Sequence, residues 1–424
     1  MNTNIVIVGN GIAGDEAAFA SKKTNPKANV VLVTREPYPL YSACVLADYI
    51  AGTIPRNRVF LKKKEEYYDA GIKLLLSTEV SGWDTEKTFL QINNKKLFYD
   101  KLILATGSRT FIPQIHGADK KGVYSLKSLA DADLIRNAGG NIAVVVGSGP
   151  VGIEVSVALQ KRGYSVILIE LLNHILPYLF DPSLSETIRM LLEKEKIEVR
   201  TGERVLEIMG NNHVKKIKTD KEIIQCDIIV LVAGMRSEVT LAKEGGIELG
   251  MTGCIKVNDA MQTSKDNVWA CGDCIESSDR LTGQRGSFML WNNARLQGRT
   301  AGINAAQGNV RYQGSINVTN VNIFNTAVAA IGSLSVNLHD DKVKVIHRKG
   351  HNGELMLVFK EENLIGAQAI GCINAIGGLL KILLRKDEIK NIIKGKQNQL
   401  IEYWGIRGFI REFLKGEFPI KRQE

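Results

Sequence analysis

Two stretches of the chain are apolar without interruption and end at a glycine: Ile5-Val6-Ile7-Val8 before Gly9, and Ile142-Ala143-Val144-Val145-Val146 before Gly147. An unbroken apolar run, rather than an alternating one, marks a strand buried on both faces, as in a parallel sheet covered by helices. Beyond each glycine the period changes. Small residues at Ala17, Ala18 and Ala20 predict a helix after the first run, a second helix is expected to end near Gly163, and further apolar runs follow at Val30-Val31-Leu32-Val33 and Val166-Ile167-Leu168-Ile169. Farther along, Asp100-Lys101-Leu102-Ile103-Leu104-Ala105-Thr106-Gly107-Ser108-Arg109 echoes Asp227-Ile228-Ile229-Val230-Leu231-Val232-Ala233-Gly234-Met235-Arg236 in its Asp, Gly and Arg. The unit of strand, turn, helix and strand is written twice, which predicts an α/β fold with two copies of one domain type.

The turns are Gly9-Asn10-Gly11-Ile12-Ala13-Gly14 and Gly147-Ser148-Gly149-Pro150-Val151-Gly152, both G-x-G-x-x-G and both set between a strand and a helix. In that context the first glycine makes the tight turn, the second lets backbone N–H groups approach a pyrophosphate, and the third lets helix and strand pack closely. The helix N-terminus then favours the phosphate charge. Two such sites imply two dinucleotides. Glu170 closes the second strand of the second copy, near the offset of about 20 residues expected for an acid that accepts from an adenine ribose. A carboxylate there repels a 2′-phosphate, and Leu171, Leu172 and Asn173 supply no arginine, so NAD is expected rather than NADP. In the first copy the strand ends at Thr34 and the nearest acid is Glu36, the candidate ribose ligand against an exposed turn residue.

Near Thr263 the chain reads as a turn, a short strand and an acidic stop at Ala270-Cys271-Gly272-Asp273. Four motifs in this order, the two glycine turns, Ala105-Thr106-Gly107 and the late T-x(6)-A-x-G-D, resemble the two-dinucleotide flavoproteins of the pyridine-nucleotide disulfide oxidoreductase superfamily over residues 1–315. The resemblance implies two Rossmann-like domains, FAD on the first glycine turn and NAD(H) on the second. It places Asp273, beside Gly272, at the FAD ribityl and pyrophosphate, Val80 where backbone meets the adenine, and Glu154 near the nicotinamide. The echoing strands add Ala105, Thr106, Gly107, Arg109 and Gly234 to the cofactor-binding set. Residues 291–302 resemble the helix that covers the flavin. From about Ser315, the runs Val321 to Phe324, Ala327 to Gly332, Leu357 to Lys360 and Leu364 to Gln368 resemble the small C-terminal domain of the NADH oxidase, rubredoxin reductase and nitrite reductase branch. The expected partition is residues 1–115 and 248–314 for FAD, 116–247 for NAD, and 315–424 for a small α+β domain.

Composition bounds the rest. At 424 residues the chain has room for two to four domains, and 44% hydrophobic with 24% charged residues excludes disorder and a disulfide-dense mini-fold. Lysine and arginine number 55 against 45 acids, a net charge of +10 spread in small groups without an aromatic-interleaved stripe; solvated lysines explain it better than nucleic-acid binding, and an acidic protein partner is compatible. No basic start with a long apolar run and no apolar stretch of about 18 residues occurs, so a cytoplasmic protein is expected. The tail 401–418 is amphipathic, as packing on its own domain or a subunit interface would require, which is compatible with a homodimer and disfavours membrane binding.

Six cysteines without zinc-ribbon or ferredoxin spacing fit a reducing compartment and no iron–sulfur cluster, and the six histidines fall at no metal-ligand spacing, so no metal site is expected. Cys271 and Cys274 form a C-x-x-C, but the flavin motif occupies the residues between them. Cys44, in Tyr41-Ser42-Ala43-Cys44, holds the offset at which coenzyme A disulfide reductases and water-forming NADH oxidases of the family carry one redox cysteine. Ala47 replaces the proline usual there, the C-terminal domain lacks their longer form, and the segment aligns as well with the cysteine-free one of nitrite and rubredoxin reductases; redox centre and buried spectator both stay open. The first expectation is thus an FAD-dependent NADH oxidoreductase passing electrons to a redox protein, iron–sulfur or rubredoxin-like, or a larger complex. A Cys44-dependent enzyme acting on a small thiol, disulfide, polysulfide or dioxygen is the second, and a non-catalytic FAD-binding subunit the third.

Overall fold

The computed structural model describes residues 2–337, 342–350, 353–361, 363–372 and 374–384. Two compact units form: one from Met1–Phe111, Lys127–Leu129 and Met235–Ile316, the other from Ile112–Leu126, Ala130–Gly234 and the described residues after Ile316.

In the first unit, strand β1 (Asn4–Val8) leads through the glycine turn into helix α1 (Ile12–Thr24) and strand β2 (Asn29–Val33). Five parallel strands follow the order Val268–Ala270, Lys101–Leu104, β1, β2, Ile72–Leu75, with Val6 opposite Val31 on one side and Leu102 on the other. Ile5, Val6 and Ile7 are fully buried, as a strand covered on both faces must be. Helix Trp291–Ala305 lies against α1 so closely that a Cβ on Gly298 would come 2.1 Å from Ala13 O and one on Gly302 2.2 Å from Ala17 O. The alanines of α1 and the glycines of its neighbour are therefore one packing device: only backbones without branches approach this near.

The second unit repeats the order: Ile197–Arg200, Ser165–Ile169, Ile142–Val146, Ile228–Leu231, Val123–Ser125, all parallel, with Val144 between Ile167 and Ile229. Helix Pro150–Lys161 stops just before Gly163, whose φ of +90° takes the chain into the left-handed region. Each unit also carries a three-stranded antiparallel sheet, starting at Val80–Asp84 in one and Val205–Met209 in the other, an echo with no signal in the apolar pattern. The second unit continues into a five-stranded antiparallel sheet, Val318–Ile323, Thr326–Gly332, Asn363–Ile370, Gly353–Lys360, Val343–Gly350, and the helix Asn374–Leu384. Gln368 of that sheet accepts from Asp181 N–H (2.7 Å) and donates to its carboxylate (2.6 Å), which ties the sheet to helix Pro182–Lys194. The architecture is α/β with two Rossmann-like domains and a smaller α+β part. The amphipathic tail at 401–418 lies outside the described residues. Among the described residues no helix is long and apolar enough to cross a membrane.

Candidate functional site

Both glycine turns are built by the same close approach. Gly9 has φ +109° and its missing Cβ would lie 2.1 Å from Ala105 O; Gly147 has φ +106° and would meet Val232 O at 2.6 Å. A Cβ on Gly14 would fall 1.8 Å from Gly9 O, and one on Gly152 would fall 1.9 Å from Gly147 O. By contrast, a Cβ on Gly11 or Gly149 would meet nothing within 4 Å. The first and third glycines are therefore demanded by the protein itself, while the second leaves the turn open to a ligand's phosphates. Each turn fits a dinucleotide.

Around the first turn, the structure brings the late motif to the echoing strand. Asp273 Oδ2 accepts from Ser108 Oγ at 2.7 Å and from Lys127 Nζ at 3.4 Å, and Lys127 also donates to Ser108 at 2.9 Å. Ser237 Oγ donates to the carbonyl of Asp273 (2.6 Å), and Gly272 N–H donates to Gln297 Oε1 (3.0 Å), so both peptides of the motif are fixed. Thr106, Gly107 and Arg109 converge on one residue, Glu238: Thr106 Oγ1 donates to its carbonyl, Gly107 O accepts its N–H, and Arg109 pairs with its carboxylate at 3.7 Å. Glu36, three residues beyond β2, accepts from Tyr41 O–H at 2.8 Å, and Val80, half-buried, opens the antiparallel sheet. Lys127 and Glu238 escape a reading of the sequence, because each meets its partner only through folding and belongs to no short motif; Gln297 falls in the 291–302 stretch, but its bond to Gly272 appears only in the fold.

In the second unit Glu170 is 9% exposed and turned back onto the glycine turn. Its Oε2 accepts from Ser148 N–H (2.9 Å) and Oγ–H (2.6 Å), and its Oε1 from Leu172 N–H (2.8 Å). Glu154 stands half-buried on the helix that follows the turn, and Gly234, φ +120°, ends the echoing strand.

The cysteines separate by exposure. Cys44 is exposed on the turn Ala43–Val45 ahead of helix Leu46–Ala51, whereas Cys226, Cys254, Cys271 and Cys274 are buried and Cys372 is half-buried. Burial pushes the Cys274 thiol up to about 11 and that of Cys271 well above its ordinary value. At pH 8 only about one part in a thousand of such a thiol with pKa near 11 is thiolate. Alkylation of the folded protein at that pH is thus expected to label Cys44 first and to reach Cys271 and Cys274 only after denaturation, as peptide mass spectrometry would show; rapid labelling of either buried thiol contradicts this. Among the described residues no group of three or more His, Cys, Asp or Glu side chains is placed to hold a metal.

The family description "pyridine nucleotide-disulphide oxidoreductase" matches residues 3–298. The chain belongs to that family. It is therefore an NAD(P)H oxidoreductase and a flavoprotein, with FAD and a nicotinamide dinucleotide as its cofactors. Among family relatives, an NADH oxidase of Methanocaldococcus jannaschii is 29% identical over 86% of this chain and 87% of its own. A CoA-dependent NAD(P)H sulfur oxidoreductase of Pyrococcus abyssi is 30% identical over 77% of this chain and 75% of its own. The solved NAD-dependent persulfide reductase of A. fulgidus has the same fold, with a TM-score of 0.87 at 23% identity over 97% of this chain and 84% of its own.

Proposed function

We propose that the protein is an NADH-dependent FAD oxidoreductase in which Cys44 passes electrons to the disulfide or persulfide of a small thiol. The observation that carries this reading is that Cys44 alone among the six cysteines is exposed, on the segment that follows the first dinucleotide fold. The names of the two relatives, an NADH oxidase and a CoA-dependent sulfur oxidoreductase, agree with it. Residues 1–115 and 248–314 hold FAD through Gly9, Gly11, Gly14, Glu36, Val80, the 105–109 strand end, Gly272 and Asp273. Residues 116–247 hold NADH through Gly147, Gly149, Gly152, Glu170 and Gly234, with Glu154 orienting the nicotinamide, and residues 315–424 form the smaller domain.

Bound FAD supplies the passage of two electrons from NADH. The Cys44 thiolate attacks one sulfur of R–S–S–R, forming Cys44–S–S–R and releasing RS⁻. Two electrons then cleave the mixed disulfide, releasing the second RS⁻ and restoring the thiolate. The balance is NADH + RSSR + H⁺ → NAD⁺ + 2 RSH. Lys127 and Ser108 both bond Asp273 Oδ2 and so fix the carboxylate before any ligand arrives, a preorganisation that does not have to be assembled on binding.

An anaerobic NADH titration tests the reading. The protein, yellow with about one FAD per chain and treated beforehand with excess small disulfide so that Cys44 is held as Cys44–S–S–R, is expected to take up about two NADH per flavin, and Cys44→Ser treated in the same way about one, because the flavin alone accepts one hydride equivalent. If the unmodified protein bleaches fully with one equivalent and Cys44→Ser behaves identically, Cys44 is a spectator and the flavin serves a redox protein instead, the reading that Ala47 favours. A flavin that NADH does not bleach would leave only a binding subunit.

A further inference from the structure

We infer that Asp15 is a positioning residue that ties the Cys44 segment to the glycine turn of the first unit, so that FAD occupancy of the turn and the placement of Cys44 are coupled. Asp15 lies in the first turn of α1 and is 2% exposed. A carboxylate so close to a pyrophosphate site needs a cation of its own, since otherwise it would repel the ligand. Lys62 supplies it, with Nζ 2.7 Å from Asp15 Oδ2 and 3.2 Å from the centre of the Phe19 ring, a partly desolvated pair rather than a surface one.

The other carboxylate oxygen, Oδ1, accepts from the hydroxyl of Tyr67 at 2.7 Å, and that hydroxyl accepts the N–H of Leu40 at 3.3 Å. Burial first, and the Asp15 charge second, push the Tyr67 phenol well above its ordinary value, so it remains a donor. The same hydroxyl lies 3.3 Å from Asn10 Oδ1 in the glycine turn, and Asn10 Nδ2 is a buried donor with no acceptor among the described residues. Leu40 and Lys62 are the two ends of one loop. Leu61 and Lys62 N–H both donate to Leu40 O (3.0 and 3.3 Å), Ser42 N–H donates to Val59 O (2.9 Å), and Tyr41 is bridged to Phe60. Residues 40–62, Cys44 among them, are thus closed at the base. Asp15 grips both ends, Lys62 directly and Leu40 through Tyr67, and the same hydroxyl touches the turn that approaches the phosphates.

The inference rests on FAD binding at this turn but not on redox activity of Cys44, because alkylation reports only where the thiol is. Cys44 labelling by iodoacetamide, followed by mass spectrometry, is compared in the full-length protein loaded with FAD and stripped of it, alongside the FAD Kd from flavin fluorescence. In the unmodified protein, FAD is expected to change the labelling rate at least about tenfold; Tyr67→Phe, which keeps the ring, and Lys62→Met should each cut that ratio to below about threefold and weaken FAD by about tenfold. Asp15→Asn should do both, and adding Lys62→Met to it should cost little more, since the two residues act as one pair. Thermal melts establish that each variant is folded, and if Asp15→Asn is not, the two milder variants decide. An unchanged labelling ratio in both Tyr67→Phe and Lys62→Met, or no effect of FAD on labelling in the unmodified protein, overturns the coupling, whatever the NADH titration returns for Cys44.

Discussion

Gly152→Ala is expected to give a yellow protein that NADH no longer bleaches, and Gly14→Ala a protein without bound flavin. In each case the added methyl would stand within 2 Å of a carbonyl oxygen of its own turn, 1.9 Å from Gly147 O and 1.8 Å from Gly9 O. Neither neighbour is a side chain that can rotate away, so the helix must shift off the strand and carry its N-terminal N–H groups with it. A loss of at least about 100-fold in NADH reduction for Gly152→Ala corresponds to about 2.7 kcal/mol, within the range that overpacking costs. The turn proposed to hold FAD lies in the other compact unit, which is why the colour should survive. Gly11→Ala and Gly149→Ala are the controls that separate fold from ligand. With nothing within 4 Å of the new methyl, their melting temperatures should match the parent while the corresponding dinucleotide binds more weakly. Rates of anaerobic flavin bleaching and the FAD content after gel filtration measure all four. Parent-like NADH reduction by Gly152→Ala would mean that the second turn does not receive the nicotinamide dinucleotide.

Glu170→Arg is expected to reverse the choice of nucleotide. We expect the unmodified protein to prefer NADH over NADPH by at least about tenfold, or 1.4 kcal/mol, from one ribose hydrogen bond and one phosphate repulsion. The substitution removes both and adds a phosphate-binding cation. The structure adds a second consequence. Glu170 accepts three hydrogen bonds, two from Ser148 and one from Leu172 N–H, and so braces the turn as well as ending the strand. Arginine leaves those donors unmet, so kcat/KM for NADH should fall about 100-fold while that for NADPH changes far less. Glu170→Gln loses the charge and turns one acceptor oxygen into an NH2 donor, but its remaining oxygen can still accept from Ser148, so it should relax the preference with a smaller loss for NADH. Equal use of both nucleotides by the unmodified protein would show that Glu170 serves the turn alone.

The sequence by itself determined the repeated fold and the places of the two glycine turns. Those features are local: a strand buried on both faces must be apolar throughout, as Ile5–Val8 and Ile142–Val146 are, and a turn whose Cβ would strike a carbonyl must be glycine, as at Gly9 and Gly14. The offset of Cys44 left redox centre and spectator both open, and the flavin motif between Cys271 and Cys274 spoke against a dithiol there. Exposure, which distinguishes Cys44 from the buried Cys271 and Cys274, is a property of the packed chain and not of spacing. Tertiary structure alone decided how the motifs are held. Lys127 meets Asp273, Gln297 meets Gly272, and Lys62 and Tyr67 meet Asp15 across long separations in the chain, each through one charged or polar atom pair. A lysine or a tyrosine in such a place looks in sequence like any solvated or core residue. Only when helix and sheet bring the backbones together does the cost of burying an unpaired carboxylate make its partner necessary.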